Sequence, residues 1–182
     1  MPSPRHPLYE PATIYSQLRR DVVARIQAYG IFAGTPPIPV LDTGDTDILS
    51  RADNALTARV GSEGGGGGIC VAVAIVSIQP GGRSPRHRKV MLAVQVNENP
   101  AVNWDDRGRN LASEDLAAYL ELPLSFTETV VDEATVIADG WTPSGIWTHL
   151  EFAGIAPVLT TPSRVVWDAR FTTETIVRAG PE

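Results

Sequence analysis

Two valine-rich segments, residues 69–78 (ICVAVAIVSI) and 89–97 (KVMLAVQVN), flank the stretch PGGRSPRHR. The first is half the ~20 residues that a membrane helix needs, and its valines and isoleucines favour a strand. It is apolar on both faces, as a central strand is. The second sets Val90, Leu92, Val94 and Val96 against Met91, Ala93, Gln95 and Asn97, the period-two pattern of a strand with one buried face. The connection is too long for a two-residue turn, so the pair predicts a long β-hairpin with an extended tip. A third alternating run, 164–177, closes the chain: Val165, Trp167, Ala169, Phe171 and Thr173 share one face.

Helices must cover such a sheet. Ile14, Leu18, Val22, Ile26 and Tyr29 recur at helical spacing, with Pro11 near the start and Gly30 as a stop, which predicts a helix over 12–29. The four prolines of residues 1–11 predict an extended arm before it. A second helix is expected over 47–60, capped by Asp47, and a third from Ser113 through Leu122, capped by Ser113 and ended by Pro123. Residues 33–47 read as a loop, and 124–131, 133–138 and 146–152 as extended segments. The fold class is α+β: a mostly antiparallel sheet with helices packed on one face, a long β-hairpin and an extended N-terminal arm. The organisation is an arm and helix over 1–33, then a single α+β domain over 34–182 with a glycine-rich loop at 61–68.

Fifteen basic and twenty-one acidic residues leave a net charge of −6, which disfavours general binding to a phosphate backbone. Direct nucleic-acid recognition and membrane insertion are not expected, and no signal-peptide stretch opens the chain. Cys70 is the single cysteine, inside an apolar run, and reads as a buried structural thiol. Gly64–Gly68 lacks the Lys-Ser/Thr that a phosphate loop requires and leads into a strand, so it reads as a connector, mobile unless a neighbour pins it. His6, His87 and His149 have no metal-ligand spacing, and the serines have no nucleophile-elbow context. His149 reads as a partly buried sheet residue. The pairs Asp105/Asp106 and Glu114/Asp115 read as solvated or helix-capping carboxylates rather than acid–base partners. No enzyme activity, cofactor or metal is expected.

Arg83, Arg86, His87, Arg88 and Lys89 form the one basic cluster, readable as a contact for an acidic partner surface or as a solvated hairpin tip. Trp104 and Trp141 lie in polar or turn-rich surroundings, where contact with another chain is a use for an indole.

The stretch VMLAVQVNENPAVNW (90–104) is the most distinctive part of the chain: a valine-rich strand runs into Glu98-Asn99-Pro100, then a polar loop and a short helix, and VVWDARFTTETIV ends the chain. This order resembles small bacteriophage tail-completion proteins of the tail-terminator or neck type, over roughly residues 47–177. The resemblance implies an α+β subunit of a homo-oligomeric ring, commonly hexameric, that caps the tail tube and meets the neck or head connector. Its partners would be copies of itself, the tail tube and connector proteins, and its place the virion after synthesis in the bacterial host cytoplasm. The alternatives are a small adaptor binding an acidic partner through residues 83–89, and a small hydrolase whose Glu, Asp and His groups converge only in the fold.

Overall fold

A computed structural model describes residues 9–82, 84–108, 112–131, 134–139, 141–143 and 147–176. In chain order they form helix α1 (Tyr9–Gln27), a 3-10 turn (Gly30–Ala33), strand β1 (Val40–Asp42), α2 (Ile48–Thr57), the hairpin β2 (Ile69–Pro80) and β3 (His87–Glu98), and α3 (Pro100–Arg107). Helices α4 (Ser113–Tyr119) and α5 (Glu121–Ser125) follow, then the hairpin β4 (Phe126–Val131) and β5 (Ala134–Asp139), and the hairpin β6 (Glu151–Thr161) and β7 (Arg164–Ile176).

The fold is α+β. One sheet has the order β1-β2-β3-β7-β6, antiparallel except where β1 runs parallel to β2, and β4–β5 form a separate two-stranded sheet. Cross-strand partners share a face, so the register sorts the side chains. Val71, Val96 and Trp167 align, then Val73, Val94 and Ala169, then Ile75, Leu92 and Phe171. This face meets Leu18, Val22 and Ile26 of α1, Leu116 of α4, Leu124 of α5 and Leu120 at the junction of those two helices, all fully buried or nearly so. Burying each such side chain contributes roughly 1.5–3 kcal/mol, which makes this layer the main source of stability. The opposite face holds Cys70, where α2 lays Ala55 and Leu56 beside it and Leu41. The expectation of helices on one face thus describes α1, α4 and α5, while α2 covers the other face at the β1–β2 corner. Across β3 and β7 that second face is mixed: Ala93, Asn97, Val166 and Asp168 are buried, Met91, Gln95 and Thr172 half-buried and Arg170 exposed.

Several boundaries differ from the sequence expectation. Helix α1 starts at Tyr9, because Pro11 falls in the first turn, where no intrahelical N–H partner is needed; of the expected arm, residues 1–8 lie outside the described residues. Inside the expected loop 33–47 lies β1, three residues that pair with Val71–Val73, too short to show a period. Arg19 of α1 binds Asp42 of β1 (Nε–Oδ1 2.6 Å), and Gly44 N–H donates to the same oxygen at 2.8 Å. Asp47 caps nothing with its side chain.

The glycine run is pinned rather than free. Gly66 and Gly68 donate backbone N–H bonds to Ala55 O, and Gly67 donates to Ala58 O. Gly68 has φ +86°, and a Cβ there would lie 2.5 Å from Asn103 N. Glycine is what lets the loop run against the start of α3.

The expected segment 146–152 forms only a bridge, Trp147 to Thr175, before β6 begins at Glu151. His149 accordingly lies outside the sheet, about half exposed. Pro123, expected to end a helix, lies within α5.

Candidate functional site

The β2–β3 hairpin carries the basic cluster, and strand geometry divides it. Neighbouring residues on a strand point to opposite faces, so Arg88 faces the helix layer while His87 and Lys89 face the other side. Arg86 is exposed at the tip. Arg88 turns its guanidinium back onto its own hairpin, donating to Pro85 O at 2.6 Å and His87 O at 2.9 Å. Burial pushes the Tyr15 hydroxyl pKa up, and the positive charge of Arg88 works against that shift. His87 is buried at the hairpin base, donating from Nε2 to Glu174 Oε2 at 3.0 Å. Arg83 lies outside the described residues. The surface presented by the cluster therefore comes from Arg86 and Lys89, with exposed Ile176, the cross-strand partner of His87, on the same face as Lys89; exposed Ile78 pairs with Val90 and lies on the opposite face of the hairpin.

At the far end of β3, a second patch is built around a buried carboxylate. Glu98 is completely buried; its Oε1 accepts from Asn103 Nδ2 at 2.9 Å, and its Oε2 accepts from Ser113 N (3.2 Å) and Ser113 Oγ (2.7 Å). Ser113 is therefore not a cap acting on its own helix; Ala112 occupies that position with no side-chain cap bond, and a carboxylate from β3 satisfies the first-turn N–H. One side chain thus bonds both α3 and the start of α4. Directly after Asn103 come Trp104, 64% exposed, and exposed Asp105; directly after Ser113 come exposed Glu114 and Asp115. Asp106 is bound inward, accepting from Val60 N at 2.8 Å.

Trp141 is half-buried against the main core, with the Arg25 guanidinium 5.7 Å from its ring centre. It is a core-edge residue, whereas Trp104 is presented to solvent.

The strongest surface feature was not singled out from the sequence. Strand β6 forms the outer edge of the sheet, and the run Ile155-Ala156-Pro157-Val158-Leu159 is exposed along it. Ile155 is 39% exposed, Val158 53% and Leu159 42%. Monomeric domains seldom leave a contiguous apolar edge uncovered. Its signal in the sequence is four apolar residues around Pro157 between Gly154 and Thr160, and that proline interrupts the strand pattern.

A depression of about 250 Å³ is lined by Lys89, Thr148, His149, Glu151, Thr172, Thr173 and Glu174. His149 Nε2 lies 3.4 Å from Glu151 Oε1, and both side chains are well exposed. The Thr173 hydroxyl is engaged with the Thr148 carbonyl at 2.9 Å. Among the described residues no three His, Cys, Asp or Glu side chains are placed to hold a metal, and no helix is long and apolar enough to cross a membrane.

The class that emerges is an α+β domain whose open features are a sheet edge and the two ends of its central hairpin. No family model matches the chain, and no curated protein matches it. A solved structure, of a protein known by a serial designation alone, is similar over 94% of this chain and 98% of its own, at 12% identity and a TM-score of 0.48.

Proposed function

We propose that the chain is a structural subunit of a phage or phage-like tail, forming a ring that terminates the tail tube and joins it to the neck or head connector. The observation that supports this most directly is the exposed apolar run of β6 on an unpaired sheet edge, a surface suited to burial against another chain. The layout of residues 90–104 and the closing strand, which resemble tail-completion proteins, supply the specific setting. Work in such a subunit is docking, with partners being copies of itself, the tube and the connector. Native mass spectrometry and negative-stain imaging of the purified protein test the reading. Closed rings, with six copies as the expected number, support it; a monomer at all concentrations, absent from purified particles, refutes it.

A small hydrolase is the second reading, favoured by the depression that brings His149 beside Glu151. Both groups are open to water, so their mutual polarisation is screened. Ester or phosphoester turnover abolished by His149→Ala would establish it.

A further inference from the structure

We infer that copies of this chain dock head to tail, the β2–β3 tip of one copy seating on the α3–α4 end of the next. This rests on the self-assembly reading above and specifies its contact.

The two surfaces sit at opposite poles of the same strand. β3 begins at His87 beside the tip and ends at Glu98 beneath α3 and α4. Twelve residues separate the poles by about 40 Å at ~3.3 Å per residue. They cannot touch within one copy, so any pairing between them is intermolecular.

Their chemistries match. The tip presents Arg86 and Lys89; Glu174, in register with Lys89, also binds His87, and Glu151 lies 3.4 Å from His149, so Arg86 is the cation there with no carboxylate placed against it among the described residues. Exposed Ile176 adds apolar surface on the face of Lys89. The far pole presents Asp105 and exposed Trp104 on α3 and Glu114 and Asp115 on α4, with no ion pair to any of these carboxylates among the described residues. Among the described residues there, Arg107 donates from Nε to Gly66 O and Arg164 donates to Asn97 Oδ1 at 3.0 Å, while Arg59, largely exposed, lies 3.9 Å from Asp106. Basic and apolar therefore meet acidic and aromatic, a combination that steers and orients two partners. Glu98 is a positioning residue here, because it fixes the two helices that carry the acidic pole.

Joining unlike surfaces is a heterologous contact, which closes into a ring when the rotation per copy divides a full turn and otherwise gives a filament. A tip-to-tip or β6-to-β6 contact would instead stop at a dimer, so the β6 edge adds to the ring only by meeting an unlike surface of the next copy.

Charge reversal tests this. One variant is Arg86→Glu with Lys89→Glu; the other is Asp105→Lys with Asp115→Lys. Each alone sets like charges across every contact, so sedimentation should show association weakened at least ~10-fold, since like-charge juxtaposition is strongly unfavourable. Mixed in equal amounts, the two should recover assemblies of wild-type size, because each contact is again between opposite charges. All four positions are exposed, and circular dichroism melts confirm that the variants fold; if one does not, Arg86→Gln and Asp105→Asn replace the reversals and should weaken association without the mixing rescue. Variants that assemble like wild type, or a mixture that stays dissociated, overturn the head-to-tail contact while leaving a ring of other geometry intact. A wild-type protein that never self-associates overturns both.

Discussion

Truncating Glu98 should unfold the chain at a markedly lower temperature. Its carboxylate is completely buried and, among the described residues, accepts hydrogen bonds from Asn103 Nδ2, Ser113 N and Ser113 Oγ. Bonds to a charged acceptor contribute about 1.5–3 kcal/mol each, and a buried donor left without a partner costs about 1–3 kcal/mol. Against this stands the relief of removing a buried charge, a penalty of several kcal/mol. Alanine leaves donors unpaired and a cavity besides, so the first effect wins. The expected net loss for Glu98→Ala is about 3–4 kcal/mol, within the range seen when a buried polar network is broken. For a chain of this length, ~2–4 °C per kcal/mol makes that a fall in Tm of roughly 6–16 °C.

Glu98→Gln separates bonding from bulk. Its amide oxygen can accept from Ser113 N and Oγ, but its NH2 then faces the Asn103 NH2 unless that amide turns over. The expected loss is about 1–2 kcal/mol, the difference between charged and neutral acceptors. Urea and thermal melts followed by far-UV circular dichroism give both values. A Glu98→Ala protein within about 1 kcal/mol of wild type would refute the reasoning, because the three donors would then be satisfied elsewhere. A glutamine variant as damaged as alanine would show that negative charge, not bond geometry, matters at the α4 start.

Cys70 makes stability fall above pH 9. Burial pushes its thiol from 9.0 up to about 12, with Arg164 pulling weakly the other way. The folded chain keeps the proton while the unfolded chain releases it, so this stability is complete below pH 9 and is lost as pH rises, by about 1.4 kcal/mol per unit and roughly 4 kcal/mol by pH 12. Cys70→Ala should flatten that slope relative to wild type in urea melts run at successive pH values; parallel slopes would refute it. Gly68→Ala should lose about 2–3 kcal/mol, combining a left-handed φ with a Cβ against Asn103 N, and a melt unchanged from wild type would show that the loop does not run that close. Val158→Asp with Leu159→Asp should leave the melting temperature within about 2 °C of wild type, since both side chains are exposed, while abolishing assembly in sedimentation; assembly of wild-type extent would remove β6 from the contacts.

Regular periods made much of this architecture legible. The alternation through Val90–Val96 and Val165–Phe171 identified two central strands, and Leu18–Val22–Ile26 identified the helix that covers them, because burial on one face writes itself into spacing. What escaped had no period to write. β1 is three residues held by a parallel neighbour and an arginine from α1. β6 is exposed nearly throughout, so no face of it is selected for apolar alternation, and its two register shifts, at Phe152–Gly154 and Pro157–Leu159, break what pattern remains. Glu98 looked like the polar end of a strand; its role depends on Asn103 and Ser113 arriving from two helices, a long-range convergence that local spacing does not encode.

The basic cluster shows the same limit at the site itself. In the sequence, Arg86 to Lys89 is one patch. On a strand, successive side chains diverge, and each then meets a different environment: Arg88 folds back onto Pro85 O, His87 is buried against Glu174, and Lys89 stands exposed. The acidic pole runs the opposite way. Asp105 and Glu114 are separated by a stretch of chain that reads as an irregular loop, yet one carboxylate gathers the helices that bear them. A linear cluster is dispersed and a dispersed set is gathered, for the same reason: β3 is straight and long, and what matters is which end of it a residue occupies. That puts the His87 and Glu98 ends of β3 about 40 Å apart, at ~3.3 Å per strand residue, with Arg86 beside the first and the helix bearing Asp105 beside the second.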